Sequence, residues 1–295
     1  MGLPDLTSAE ELGPRQGLSD IEALERRLVL TAKARTRRDR ISKVISPIAV
    51  LLGLIGVWEA TVRILDVPAY LFPAPSLVVE TIIDRWTLLW ANSLSTLSAI
   101  SLGFLVALSV GTVLAILTYS WKPFERGVYP LISAAQAVPK IAVAPLLAIW
   151  FGFSLTTRSL MAFLLALFPV LISGLVGFRS IVPEKIQLAR IMGLGRVKTF
   201  LKVRLPQALP NMFGGAKVAF TLASVGAIIG EFLGGGEGLG YLIVRANHDF
   251  ATPLMFATLT VLGAYALLIF LLIEAIERWL LPWNIRDDHE PIGSM

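Results

Sequence analysis

The stretch "KIQLARIMGLGRVKTFLKVRLPQALP", Lys185–Pro210, interrupts a chain that is otherwise greasy. It holds six basic residues, two prolines and two glycines, and it lies between two long apolar runs. Local chemistry predicts two short helices here. Pro183 suits a first helical position, where its missing N–H costs nothing. Ile186, Ala189 and Met192 follow at helical spacing, and Gly193 suits a left-handed helix end. A second helix is expected from Gly195, with Val197, Phe200 and Leu201 on one face and Arg196, Lys198, Lys202 and Arg204 supplying charge. Pro206 and Pro210 are expected to stop it before the next apolar run. The spacing leaves two readings open. The segment either links two apolar runs at a membrane surface, or it is a knob whose apolar anchors enter a partner's groove.

Working outward, the composition sets the class. The chain has 295 residues, 55% hydrophobic and only 16% charged, whereas soluble domains carry about 25% charge. Uncharged runs cover 86–121, 141–157, 159–178 and 250–273. Runs of about 20 apolar residues are long enough to cross a bilayer as helices. The expected fold is an all-α membrane protein with six spans, near 44–66, 93–119, 128–151, 158–178, 212–232 and 253–278. The first forty residues are polar, which predicts no cleavable signal peptide and a cytoplasmic N-terminus. The charges agree: residues 1–43 hold nine Lys or Arg and 179–211 hold seven, while the expected outer loops hold few. Both termini are therefore expected in the cytoplasm. The expected parts are a cytoplasmic tail over 1–43, a membrane domain over 44–282 containing the short-helix segment 183–210, and a frayed tail over 283–295. In the first tail, Ser19 or Asp20 can cap an amphipathic helix, which either lies on the membrane surface or stays solvated.

Several chemistries are excluded. No Walker phosphate loop occurs, and "GGGEGLG" at 234–240 neither matches G-x-G-x-x-G nor follows a strand. The chain has no cysteine and two histidines, both outside the apolar runs, so no metal site is expected. No nucleophile motif or carboxylate pair sits in a span, which disfavours an enzyme. A gradient-driven transporter remains a rival, but it calls for internal repeats and mid-membrane carboxylates, and neither is evident.

Two charged residues in the spans are candidates for a substrate pathway. Lys140 follows Pro139 and precedes Pro145 in an apolar run. An ionisable group at membrane depth is a functional candidate, here for drawing an anion, although a lysine also snorkels to the interface. Glu231 ends the fifth span just before the glycine run, facing an outer gate or pairing with a basic residue of another helix. Glu59 and Arg63 are spaced for an intrahelical ion pair, the tryptophans at 58, 86, 90 and 150 for interface anchoring, and the glycines at 234–240 for a tight outer turn.

The opening segment resembles the cytoplasmic "EAA" loop of ABC importer permeases: E-A-A, three residues, Gly, then about nine residues to I-x-L-P. Gln187, Leu188, Ala189, Gly193, Val203, Leu205 and Pro206 stand at those positions, departing from the motif at the first two. "VPKIAVAPLLAIWFGF" at 138–153, "WEATVRILDVPAYLFPAPSLV" at 58–78 and "GAIIGEFLGGGEGLGYLI" at 226–243 resemble the nitrate/sulfonate/taurine branch, in the right order over about 44–283. The resemblance implies a type I permease fold in a bacterial inner membrane. It implies two permease copies, a homodimer in the simplest case, with two cytoplasmic ATPase subunits and an extracytoplasmic solute-binding protein. ATP and magnesium would sit on the ATPase, with no cofactor on this chain. Contact with the ATPase would fall on Gln187, Leu188, Ala189, Gly193, Leu194, Val197, Leu205 and Pro206. The solute implied is a small anion, with a pyrimidine vitamin precursor or an aromatic acid as the alternative within the family.

Overall fold

The computed structural model describes residues 48–283; the amphipathic-tail expectation and the frayed C-terminal tail lie outside the described residues. The chain divides into two compact units, one ending at Asp66 and one beginning at Val67. In the first, α1 runs over 48–64, and Arg63 Nε donates to Glu59 Oε1 at 2.5 Å as the spacing predicts.

The second unit is helical throughout its described elements. In order they are α2 (Pro75–Asp84), α3 (Trp86–Ser120), α4 (Lys122–Ala137), a 3-10 turn (Lys140–Val143), α5 (Ala144–Phe151), α6 (Leu155–Arg179), α7 (Pro183–Ile191), α8 (Arg196–Thr199), a π-helical turn (Phe200–Arg204), α9 (Leu205–Phe232), α10 (Leu239–His248) and α11 (Thr252–Leu280). Among the described residues four helices are long and apolar enough to cross a membrane: Trp86–Ser120, Leu155–Arg179, Arg196–Phe232 and Thr252–Leu280. Among the described residues one further pair qualifies as a broken span, Lys122–Ala137 with Lys140–Phe151, bent by 87°. The span expected over 128–151 is therefore broken within its length, at a proline the sequence shows. The cause is Pro139, which forces Val138 into an extended conformation with ψ 125 and removes a helical N–H. Pro145 breaks nothing, because it falls in the first turn of α5. The span expected over 44–66 is described only as α1.

α6 is the centre of the bundle, packed most extensively against α9 and α3. The seams are built from small residues at every fourth position. On α3 these are Ala99, Gly103, Ala107, Gly111 and Ala115, all buried; on α9 they are Gly215, Ala219, Ala223 and Ala227. In lipid there is little hydrophobic force between helices, so close backbone approach and van der Waals contact hold them together. Gly226 shows how close: a Cβ there would lie 2.5 Å from the Met161 carbonyl oxygen and 2.8 Å from Ala162 Cα. Those are backbone atoms of α6 and cannot rotate away.

Candidate functional site

The short-helix segment is built at one end of the bundle. α7 starts at Pro183 as expected and ends in a Schellman turn: Gly193 adopts φ +76, its N–H donates to the Arg190 carbonyl at 2.9 Å, and the Leu194 N–H donates to the Ala189 carbonyl at 3.0 Å. Beyond it, one expectation fails. The second short helix does not stop at Pro206. Arg196–Phe232 is a single helix of 37 residues, roughly 55 Å long at 1.5 Å per residue. The π-helical turn at Phe200–Arg204 is the reason. It carries the Leu205 N–H to the Phe200 carbonyl five residues back, and the widened turn relieves the clash Pro206 would otherwise make with the preceding carbonyl. Pro206 then falls in the first turn of α9.

The facing of this segment also differs from expectation. Ala189 is 3% exposed, and Phe200 packs inward on Phe178 with ring centroids 5.6 Å apart. Arg204 is no rim charge; its Nη1 donates to the Tyr119 hydroxyl at 2.8 Å and its guanidinium lies 5.2 Å from that ring. Leu205 packs into the same basal cluster with Phe178 and Ala208. The outward apolar ridge keeps Met192 (71% exposed), Val197 (71%) and Leu201 (54%) of the expected face and adds Leu188 (58%) and Ile191 (82%). Exposed Lys185, Arg190, Arg196, Lys198 and Lys202 surround it. Gln187 and Gly193 are exposed beside the ridge, Leu194 is half-buried, and Pro206 is half-buried below it. Ile191 was missed because both faces of α7 carry apolar residues, so spacing alone does not say which face is covered. Arg179 at the end of α6 pairs with Glu125 in the first turn of α4 at this same end.

At the opposite end, Glu231 is wholly buried and joins four elements. Its Oε1 accepts from the Thr96 hydroxyl of α3 at 2.8 Å, and its Oε2 accepts from the Gly240 N–H in the first turn of α10 at 2.7 Å. Arg158 of α6 stands 3.9 Å away and is itself buried; it donates to Ser95 Oγ at 2.7 Å and to the Glu237 carbonyl at 3.2 Å. The Gly238 N–H donates to Asn92 Oδ1 at 2.8 Å, and the Leu239 N–H to Thr96 Oγ1 at 2.8 Å. The carboxylate therefore satisfies the start of α10, where backbone N–H groups favour a negative charge. Gly238, at φ +106, has its Cα directly beside the carboxyl group, so a side chain there would collide with Glu231. Of the two arrangements expected for Glu231, the one present is pairing with a basic residue of another helix, and its side chain has no exposed surface.

Sequence reasoning missed a second buried pair. Lys217 Nζ of α9 lies 2.6 Å from Glu277 Oε2 of α11, both nearly enclosed, with the ammonium also 5.6 Å from the Phe270 ring. The clue was an unpartnered-looking charge inside each of two apolar helices, Lys217 in α9 and Glu277 in α11. Lys140 is different. It opens the 3-10 turn at the α4–α5 bend, and its Nζ stands 4.3 Å over the Phe168 ring of α6. It lines a recess of about 470 Å³ whose other lining residues are all apolar.

Residues 103–286 match the family described as binding-protein-dependent transport system inner membrane component. The riboflavin transport system permease protein RibX of Chloroflexus aurantiacus is 38% identical over 240 residues, covering 81% of this chain and 89% of that protein. The formylaminopyrimidine transport permease protein ThiX of Halalkalibacterium halodurans is 34% identical, with 83% and 98% covered. The taurine transport system permease protein TauC of Escherichia coli is 28% identical, with 80% and 89% covered. Among solved structures, a chain of the MetNI methionine ABC transporter shares the fold with a TM-score of 0.50 at 21% identity, covering 65% of this chain and 94% of that one. Relatives of this kind set aside both the gradient-driven and the enzyme readings. The chain belongs to the ABC importer permease family of binding-protein-dependent transport systems.

Proposed function

We propose that two copies of this chain form the membrane pathway of an importer, with both termini cytoplasmic in a bacterial inner membrane. Two ATPase subunits, carrying ATP and magnesium, grip residues 183–210, and an extracytoplasmic binding protein delivers the solute. This chain itself binds no cofactor. The observation that carries the reading is the ridge at the foot of one continuous helix: Leu188, Ile191, Met192 and Val197 stand exposed within a basic rim. Exposed apolar anchors of that kind suit a groove in a partner. Because α8 and α9 are one rod, a push on Val197 reaches Phe232 without passing through a loop. Rigid elements of this sort carry a motor's movement into a pathway that opens alternately.

For the solute, the similarity favours a vitamin-type heteroaromatic molecule over a small anion. The relatives named for riboflavin and formylaminopyrimidine are 38% and 34% identical, against 30%, 28% and 25% for those named for aliphatic sulfonates, taurine and bicarbonate. The test is uptake into proteoliposomes holding this chain, its ATPase and its binding protein. ATP-dependent accumulation of riboflavin or formylaminopyrimidine is expected, with taurine and nitrate excluded. Accumulation of taurine or nitrate alone would overturn the solute class.

A further inference from the structure

Two lysines within apolar segments are treated differently by the fold. Lys217 has both an aromatic face and a carboxylate, Glu277 at 2.6 Å. Lys140 has the aromatic face of Phe168 at 4.3 Å, and among the described residues no carboxylate pairs with it. A cation within an apolar segment is costly unless an anion, a dipole or water meets it. Its ammonium opens on the recess between α4 and α6, whose walls include Leu131, Ala135, Val143 and Leu164. At about 470 Å³ the recess lies within the range of small-molecule sites, which are largely apolar with few polar groups that orient the ligand.

We propose that this recess is a solute site, in which Lys140 meets an acceptor or anionic edge of a planar heteroaromatic molecule and the apolar walls take its ring. The assignment rests on the heteroaromatic reading above and deepens it. A bare inorganic anion fits poorly: one face would meet Lys140, and the rest would lose water to walls without donors. A ring with one polar edge meets both parts of the lining. Phe168 adds a flat face at which a ring can stack as the ammonium shifts toward the solute's edge.

The absence of native cysteine makes a direct test available. A single cysteine, Ala135→Cys, is introduced into the full chain, and the complex with its ATPase is placed in lipid nanodiscs. The rate of labelling by N-ethylmaleimide is read with riboflavin, formylaminopyrimidine, taurine or nitrate present. Labelling should be prompt without solute and slowed several-fold by at least one of the heteroaromatic pair, but not by taurine or nitrate. With each variant scored against its own solute-free rate, since a nearby ammonium favours the reactive thiolate, adding Lys140→Met should remove most of the protection. A cysteine that is blocked before any solute is added would mean that lipid or the second copy fills the recess, which overturns the site. Equal labelling with all four solutes also overturns it; the substrate reading then survives if the complex still takes up riboflavin or formylaminopyrimidine. Uptake confined to taurine or nitrate overturns both.

Discussion

Glu231→Ala is expected to destabilise the folded protein by about 3–5 kcal/mol, the usual cost of stranding one partner of a buried ion pair. Arg158 would keep its charge in an enclosed site with only the exposed Glu237 carboxylate, also 3.9 Å away, left to meet it. The Thr96 hydroxyl would lose its acceptor, and the Gly240 N–H at the start of α10 would be orphaned. Each such loss adds to the effect, because an unmet buried donor costs more than a made bond gains. The expected signs are a low membrane yield and a clearly lowered melting temperature in detergent. Glu231→Gln should be milder, since its amide oxygen can still accept one of the two bonds. Arg158→Met combined with Glu231→Leu should recover part of the loss, since removing both charges leaves neither stranded. Wild-type melting of Glu231→Ala would show that the polar centre contributes nothing to the fold.

Gly193→Val should separate coupling from folding. The residue adopts φ +76, a conformation in which a β-branched side chain is a genuine outlier. Left-handed backbone costs a non-glycine residue roughly 1–2 kcal/mol before branching is added. Space is no obstacle, because nothing lies within 4 Å of a Cβ at this position. The strain is therefore relieved by letting α7 continue past Met192, which breaks the Leu194–Ala189 bond and turns Leu188, Ile191 and Met192 away from Val197. Retention of the ATPase and uptake should fall by about tenfold or more, given that 1.4 kcal/mol is a factor of ten. The span helices should be untouched, so the melting temperature should hold. Gly195→Ala is the control: its φ is −66 and its surroundings are open, so alanine meets neither backbone strain nor a clash there, only the modest penalty of a poorer N-cap. Equal ATPase retention in both variants would reject the role of the turn.

Much of this was legible in the sequence for physical reasons. Bilayer thickness imposes long uncharged runs, and these marked most of the spans. A helix that must end sharply needs a residue that tolerates positive φ, and Gly193 announced itself. What could not be read depends on how helices rotate against one another. Glu231 showed that it needed a partner but not that Arg158 would supply it, because the pair lies on α9 and α6, 73 positions apart in chain order but adjacent in space. Lys217 and Glu277 were overlooked for the same reason. Both α7 faces carry apolar residues, so periodicity did not reveal that Ala189 turns in while Leu188 and Ile191 turn out. The π-helical turn at 200–204 left no local mark other than Pro206, which reads more simply as a helix stop. The every-fourth-residue seam, Ala99 through Ala115, is plain in the sequence once helix contact rather than hydropathy is the question.

Docking of the ATPase on residues 183–210 is tested most directly on the cysteine-free chain. Val197→Cys, on the exposed ridge, is compared with Val218→Cys, also exposed but inside the apolar span of α9. Each is incubated, in the complex with the ATPase, with a short bifunctional thiol-to-amine reagent. A permease–ATPase adduct is expected from Val197→Cys and none from Val218→Cys, with uptake blocked only in the first. A transport-competent complex in which Val197→Cys is labelled but never joined to the ATPase would contradict that docking.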